Sequence, residues 1–373
     1  MAHISKKISV KSYKKPIFAT DMAFINSFIP TLPFMVCLFW TLHAGLSYKN
    51  LNRAQRNLGI FLGVSMLLFL YHAIYFSDGE ASAFNLLAVI YSWATLTVYP
   101  LYYLYVESIT DSRKPGPTEK LLLFIPGIIA AAGGGAVLAF GLNRGVLDVF
   151  IAVTRPIQTI LVCILCLVKL TAFDRSVYDS YSEVEGKTAR PVKILAAVQM
   201  AAALCTVVLS LLGQKFFFGK TILAVPSLLF AGTIYAIAYV GFRYRFGAEQ
   251  MEEDLTEDIP VENARDDSGL YDAILDKMEN GRLFLQPGLS VVDLARAIGS
   301  NRTYVSACIN SNSGKSFAMF INSYRVEYAK KLMKENSSLS IAQVGEMSGF
   351  ASEESFRRNF RSFTGKSPSG WMG

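Results

Sequence analysis

Residues 340–365 read SIAQVGEMSGFASEESFRRNFRSFTG. Ile341 and Val344, three apart, fall on one face of a short helix, and Gly345 supplies a small residue where a second helix has to cross closely. Gly349 can take the positive φ of a tight turn, and Ser352 is placed to cap a new helix whose Phe356 and Phe360, four apart, point inward. Glu353, Glu354, Arg357, Arg358 and Arg361 are left on the outer face. Two short helices joined by a glycine turn, the second with a polar and basic outer face, are the pattern of a helix-turn-helix.

Residues 289–310, LSVVDLARAIGSNRTYVSACIN, repeat the arrangement some fifty residues earlier. Leu294 and Ile298 face inward, Ala295 is the small crossing residue, and Gly299 makes the turn. Asn301 caps a helix whose Val305 and Cys308 face inward, leaving Arg302, Thr303, Ser306, Ala307 and Asn310 outside, where a recognition helix meets a major groove. The apolar-periodic segment FAMFINSYRVEYAKKLMKE, 317–335, predicts a linker helix between the units. From residue 269 to the end, thirteen Lys and Arg stand against nine Asp and Glu, a balance suited to nucleic acid. Arg357 and Arg358 are the strongest candidates for contact, since a guanidinium can fork onto guanine O6 and N7 or hold a phosphate. Glu353 and Glu354 suit the positive end of the helix dipole and can accept from cytosine N4, but they repel phosphates.

The succession LARAIGSNRTYVS, INSYRVEYAKKLM and SIAQVGEMSGFASEESFRRNFRSFTGKSPSGW resembles the DNA-binding domain of the AraC/XylS family of transcription regulators. The resemblance covers roughly the last hundred residues. It implies two helix-turn-helix units on a linker helix, reading successive major-groove segments on one face of double-stranded promoter DNA. Gly345 stands where the family usually has Ala, which predicts a second unit looser by about 0.5–1 kcal/mol. The family's usual small-molecule-binding domain is not recognisable.

Apolar segments occupy its place. Hydrophobic residues make up 52% of the 373 residues and charged residues 17%. Seven stretches, 24–45, 57–76, 84–106, 121–142, 147–170, 193–213 and 221–243, are long enough to cross a hydrocarbon layer of about 30 Å at about 1.5 Å per residue. The expected fold is therefore all-α, a seven-helix transmembrane bundle (1–246), an acidic linker (247–268) and the soluble domain (269–373). Basic residues orient it. Lys49, Arg53 and Arg56 follow the first span, Arg113, Lys114 and Lys120 the third, and Arg175, Lys187, Arg190 and Lys193 the fifth, whereas the even-numbered loops are poorer. Odd loops and the C-terminal domain are thus expected in the cytoplasm, with the spans in the inner membrane. Five lysines, Lys6, Lys7, Lys11, Lys14 and Lys15, oppose this count; either the later loops outvote them, or translation begins at Met22 rather than Met1.

Residues 247–267 carry nine acidic residues and one arginine and read as a solvated spacer. Cys37, Cys163, Cys166 and Cys205 lie in apolar runs and Cys308 in the soluble part, so no disulfide framework is expected; the Cys163/Cys166 pair reads as packing rather than a metal site. No catalytic motif, cofactor loop or metal-ligand set occurs, and the chain is not expected to be an enzyme. Arg155 beside Pro156, His72, Tyr99 and Tyr102 are candidate sensor residues for an unknown ligand or protein signal, with Glu107 a conceivable partner of Arg155. Their bland reading is snorkelling and interfacial packing. AAAGGGA, 130–136, reads as a close helix crossing. The expected function is a membrane-tethered transcription factor that could act as a homodimer; a transporter or a membrane scaffold with a helical tail is the alternative.

Overall fold

The computed structural model describes residues 28–78, 86–112, 117–212, 224–255, 267–336 and 338–372. The N-terminal lysines, the loop arginine and lysines at 113, 114, 215 and 220, and the centre of the acidic stretch lie outside them. Among the described residues every long element is a helix, and one isolated antiparallel bridge, Tyr181 with Ser290, is the extended exception.

Among the described residues the apolar part holds seven α-helices: α1 (Leu32–Leu46), α2 (Arg53–Asp78), α3 (Leu86–Thr110), α4 (Pro117–Phe140), α5 (Gly145–Ser180), α6 (Arg190–Leu212) and α7 (Ala224–Arg243). Five of the expected spans, those carried by α1 to α5, are long and apolar enough to cross a membrane. The sixth and seventh expected spans fall on α6 and α7, helices of 23 and 20 residues. α5 has 36 residues, about 54 Å of helix, and so runs well past a hydrocarbon layer.

The chain divides into two compact units, one of Met1–Tyr102, Pro117–Val162 and Val198–Tyr239, the other of Tyr103–Gly116, Cys163–Ala197 and Val240–Gly373. The first exposes much apolar surface and buries apolar residues such as Leu58, Leu62 and Leu96 together with several polar ones. Along α5, Val149, Val153, Ile157 and Ile160 recur at helical spacing and are each more than 40% exposed. Such a stripe is rare on a water-soluble monomer and suits a lipid-facing or partner-facing helix. Inside, Ser65, Ser92 and Thr97 are buried, their hydroxyls donating to carbonyls four residues back. Gln158 donates across to the Leu123 carbonyl at 2.9 Å. The 130–136 stretch makes the expected close crossing: a methyl on Gly134 would stand 3.2 Å from Val89 Cγ1, and one on Gly133 would stand 3.3 Å from Leu147 Cδ1.

In the second unit the acidic stretch is not uniformly solvated. Its first part folds as α8 (Ala248–Leu255), with Leu255 buried and Asp254 accepting from the Tyr181 hydroxyl at 2.9 Å. The apolar residues Met251 and Leu255, four apart, give this short helix a face to bury, and that periodicity outweighs the charge around it. Further on come α9 (Asp267–Glu279), a 3₁₀ turn at Leu283–Leu285, α10 (Val291–Ile298), α11 (Arg302–Ser313), α12 (Phe317–Glu335), α13 (Ile341–Met347), α14 (Glu353–Thr364) and α15 (Pro368–Met372). α12 occupies the bounds expected of the linker helix.

Candidate nucleic-acid interface

Each helix pair is set by caps and a glycine. Ser290 and Asp293 form a capping box at the start of α10, and Gly299 ends it at φ 67°. Asn301 then accepts from the Tyr304 N–H and opens α11. In the second unit Ser340 and Gln343 box the start of α13, Gly349 turns at φ 85°, and Ser352 accepts from the Ser355 N–H to open α14. These reciprocal bonds satisfy helix-end donors that a short helix could not leave bare.

The apolar residues named from the sequence go inside. Leu294, Ala295, Ile298, Val305 and Cys308 are buried in the first unit. Val344, Phe356 and Phe360 join Val326, Ala329, Leu332, Met333 and Phe350 in the core of the second, with Ile341 packed against its edge. Phe350, Phe356 and Phe360 follow one another edge-on or tilted at 5.3 and 5.5 Å between centroids.

Gly345 is not a loose point. A methyl there would lie 3.0 Å from Cβ, Cγ and Cδ1 of the fully buried Phe356. The helices have closed onto the glycine, so the expected loosening is corrected: contact replaces the missing side chain. Because Phe356 Cβ is tied to the α14 backbone and has no rotamer that clears it, Gly345→Ala is expected to lose about 0.5–2 kcal/mol, overpacking exceeding the gain in helix propensity. Thermal unfolding of the wild type and the variant checks it; a stabilised variant would show that α13 and α14 can part.

The outer faces carry the expected polar sets. Thr303, Ala307 and Asn310 are exposed on α11, with Arg302 and Ser306 partly covered; Glu353, Glu354, Arg357, Arg358 and Arg361 are exposed on α14. Arg357 Nε donates to Glu353 Oε1 at 2.7 Å, one turn away. Such an exposed i,i+4 pair holds by only a few tenths of a kcal/mol and yields readily to phosphate. Arg358 is ion-paired with Glu185, a residue of the segment between α5 and α6.

Arg325, which sequence reasoning passed over, organises the whole domain. It is fully buried on α12, donates from Nε to the Phe284 carbonyl and from Nη2 to the Gln286 carbonyl, each at 2.7 Å, and reaches Asn322 Oδ1 at 3.3 Å. Glu183 Oε1 stands 3.7 Å from its Nη1. Burial pushes this guanidinium down to about 10, and the Glu183 charge pulls it back up. It therefore stays protonated near neutrality. The clue was its place one turn after Ile321 and one turn before Ala329, on the inward stripe of α12.

In the apolar unit, His72 packs edge-on to Tyr91 at 5.4 Å and Tyr91 stacks on Tyr71 at 4.4 Å. Tyr102 is buried beside Phe61 at 5.4 Å, and Tyr99 is partly covered. The geometry thus gathers His72 with Tyr71 and Tyr91. Glu107 lies 3.8 Å from Lys169. Cys37, Cys163, Cys166 and Cys308 are buried and take part in no disulfide among the described residues.

Comparison with known proteins agrees with this geometry. The family described as "Helix-turn-helix domain" matches residues 294–373. The Msm operon regulatory protein of Streptococcus mutans is 31% identical over 81 residues, 22% of this chain and 29% of that protein. An uncharacterized HTH-type transcriptional regulator of Staphylococcus aureus is 30% identical over 91 residues, 24% of this chain and 12% of its own length. The chain therefore spans between about an eighth and under a third of the length of these curated relatives. No solved structure matches the chain. Residues 294–373 are an AraC-type helix-turn-helix domain.

Proposed function

We propose that the protein is a membrane-tethered transcriptional regulator that reads promoter DNA with α11 and α14. The observation that carries this reading is the pair of capped second helices, each with its apolar side locked in a core and its polar side turned out. Arg302, Thr303, Ser306, Ala307 and Asn310 would contact one major-groove segment, and Glu353, Glu354, Arg357, Arg358 and Arg361 the next. The relatives' names as regulators favour the same reading.

Seven inner-membrane spans, α1 to α7, hold the domain at the cytoplasmic face. The apolar outer stripe of α5 supports a lipid environment. Orientation draws support from the make-up of the second unit, which gathers the C-terminal domain with segments flanking the third and fifth loops. Those are the loops that the Lys and Arg count places inside. The spans would act as the sensor, with Arg155 and His72 as the polar group available to a signal molecule or partner protein, and a second copy would bring two DNA-reading domains to one promoter.

The test is selection of duplexes from a random-sequence pool by the full chain in detergent micelles, over a range of salt. Enrichment of a defined sequence is expected, and Arg358→Ala should weaken binding to the enriched duplex by about 1–3 kcal/mol if the arginine reads a base. Retention that is independent of sequence and lost at modest salt would overturn the reading.

A further inference from the structure

The segment that joins α5 to α6 lies across the helices proposed to read DNA. Asp179 offers its carbonyl to the Ser306 hydroxyl of α11 at 3.4 Å. Tyr181 bridges to Ser290. Ser182 donates twice to the Leu289 carbonyl, from its N–H at 3.0 Å and its hydroxyl at 2.6 Å, and its own carbonyl accepts from Asn322 Nδ2 at 3.0 Å. Glu183 accepts from the Ala351 N–H at 2.8 Å, just ahead of α14. Glu185 pairs with Arg358 on α14 itself. Seven residues thus run from the outer face of one helix-turn-helix unit to that of the other.

Two of these contacts are chemically those of a nucleic-acid backbone. A carboxylate on a backbone N–H at the entry to a helix, and a carboxylate on an exposed guanidinium, occupy places where phosphate oxygens bind. Glu183 has a second attachment, to the buried Arg325, so it anchors the segment; Glu185, with its side chain one-third exposed, is the part that competes. Other contacts hold the near end. Lys187 Nζ sits 3.4 Å over the Tyr181 ring, and Tyr244 donates to the Lys187 carbonyl at 2.8 Å.

We propose that residues 179–185 are an intramolecular ligand of the DNA-reading face, and that promoter DNA and this acidic segment bind it in competition. The inference rests on the DNA-reading role proposed above. It supplies what that role lacks, a physical link from the membrane to the promoter. α5, the helix that carries Arg155, runs without interruption into the segment at Ser180. A signal that shifts α5 would withdraw Glu185 from Arg358 and free α14, and the binding free energy of DNA must otherwise displace it.

The experiment uses the full chain in detergent micelles and a pool of random-sequence duplexes roughly two to three helical turns long. Glu185→Gln is expected to tighten duplex binding by about three- to tenfold at low salt, since the pair is partly exposed and only one of several contacts. Glu253→Gln, which removes the same charge from an exposed position on α8, is the control and should leave binding unchanged. A second variant locks the segment. Tyr181→Cys with Ser290→Cys joins bridge partners whose backbone spacing suits a disulfide; oxidation should cut duplex binding at least tenfold and reduction should restore it. If Glu185→Gln binds as the wild type does, or the oxidised form binds as well as the reduced one, the segment and DNA do not compete and the proposal falls. If neither the wild type nor any variant retains duplex, the DNA-reading role itself fails and takes the proposal with it.

Discussion

Arg325→Ala is expected to destabilise the C-terminal domain by about 3–5 kcal/mol, enough to unfold it at ordinary temperature. The guanidinium is at once the donor to two carbonyls of the turn before α10 and the charge opposite Glu183. Removing it takes the donor from both carbonyls and the buried counter-charge from Glu183, which keeps only the Ala351 N–H, and each loss carries a desolvation cost. Arg325→Lys is expected to recover less than half of the loss, because an ammonium is a single point and cannot serve two carbonyls through a planar fork. Arg325→Met, of similar length, separates packing from polarity: it fills the volume and leaves the acceptors bare. Resistance of residues 267–372 to limited proteolysis, followed across temperature in the full chain, reads the effect. An alanine variant as resistant as the wild type would mean that the carbonyls find water and that Arg325 is not the organiser.

Gly349→Ala should be the second most damaging single change, at about 2–4 kcal/mol. Its φ of 85° is costly for any residue with a Cβ, and the space is closed as well: the added methyl would lie 2.7 Å from Leu285 Cα, Leu285 O and Phe284 O. All three are backbone atoms of the same turn that Arg325 holds, so none can swing aside. Gly299 is the internal control. It has φ 67° but nothing near the position of a Cβ, so Gly299→Ala should lose only about 1–2 kcal/mol, the conformational part alone. Chemical denaturation of both variants checks the ordering, and equal losses would show that the close approach at Gly349 relaxes without cost.

Much of the C-terminal domain was legible because its information is local. Caps at Asn301 and Ser352, turns at Gly299 and Gly349, and inward pairs such as Leu294 with Ile298 and Phe356 with Phe360 each depend on residues within one or two turns. The linker helix could be bounded for the same reason. Five of the seven expected spans were legible as helices long and apolar enough to cross a membrane, since length and hydropathy are themselves properties of the sequence.

The remainder depended on contacts between residues far apart in the chain. Arg325 looked like one more basic residue of a basic domain, and only packing against a turn forty residues earlier turns it into a buried tie. Gly345 looked like a weakness until Phe356 was found against it. Glu183 and Glu185 lay in a loop valued only for its lysines and arginines, because the count that orients membrane segments ignores acids. What the sequence by itself determined was the kind of each helix and the face it buries, a matter of spacing along one strand of chain. Only the tertiary structure decided which charges meet, because a salt bridge is set by distance in space, and the loop that reaches Arg358 is separated from it by most of the domain.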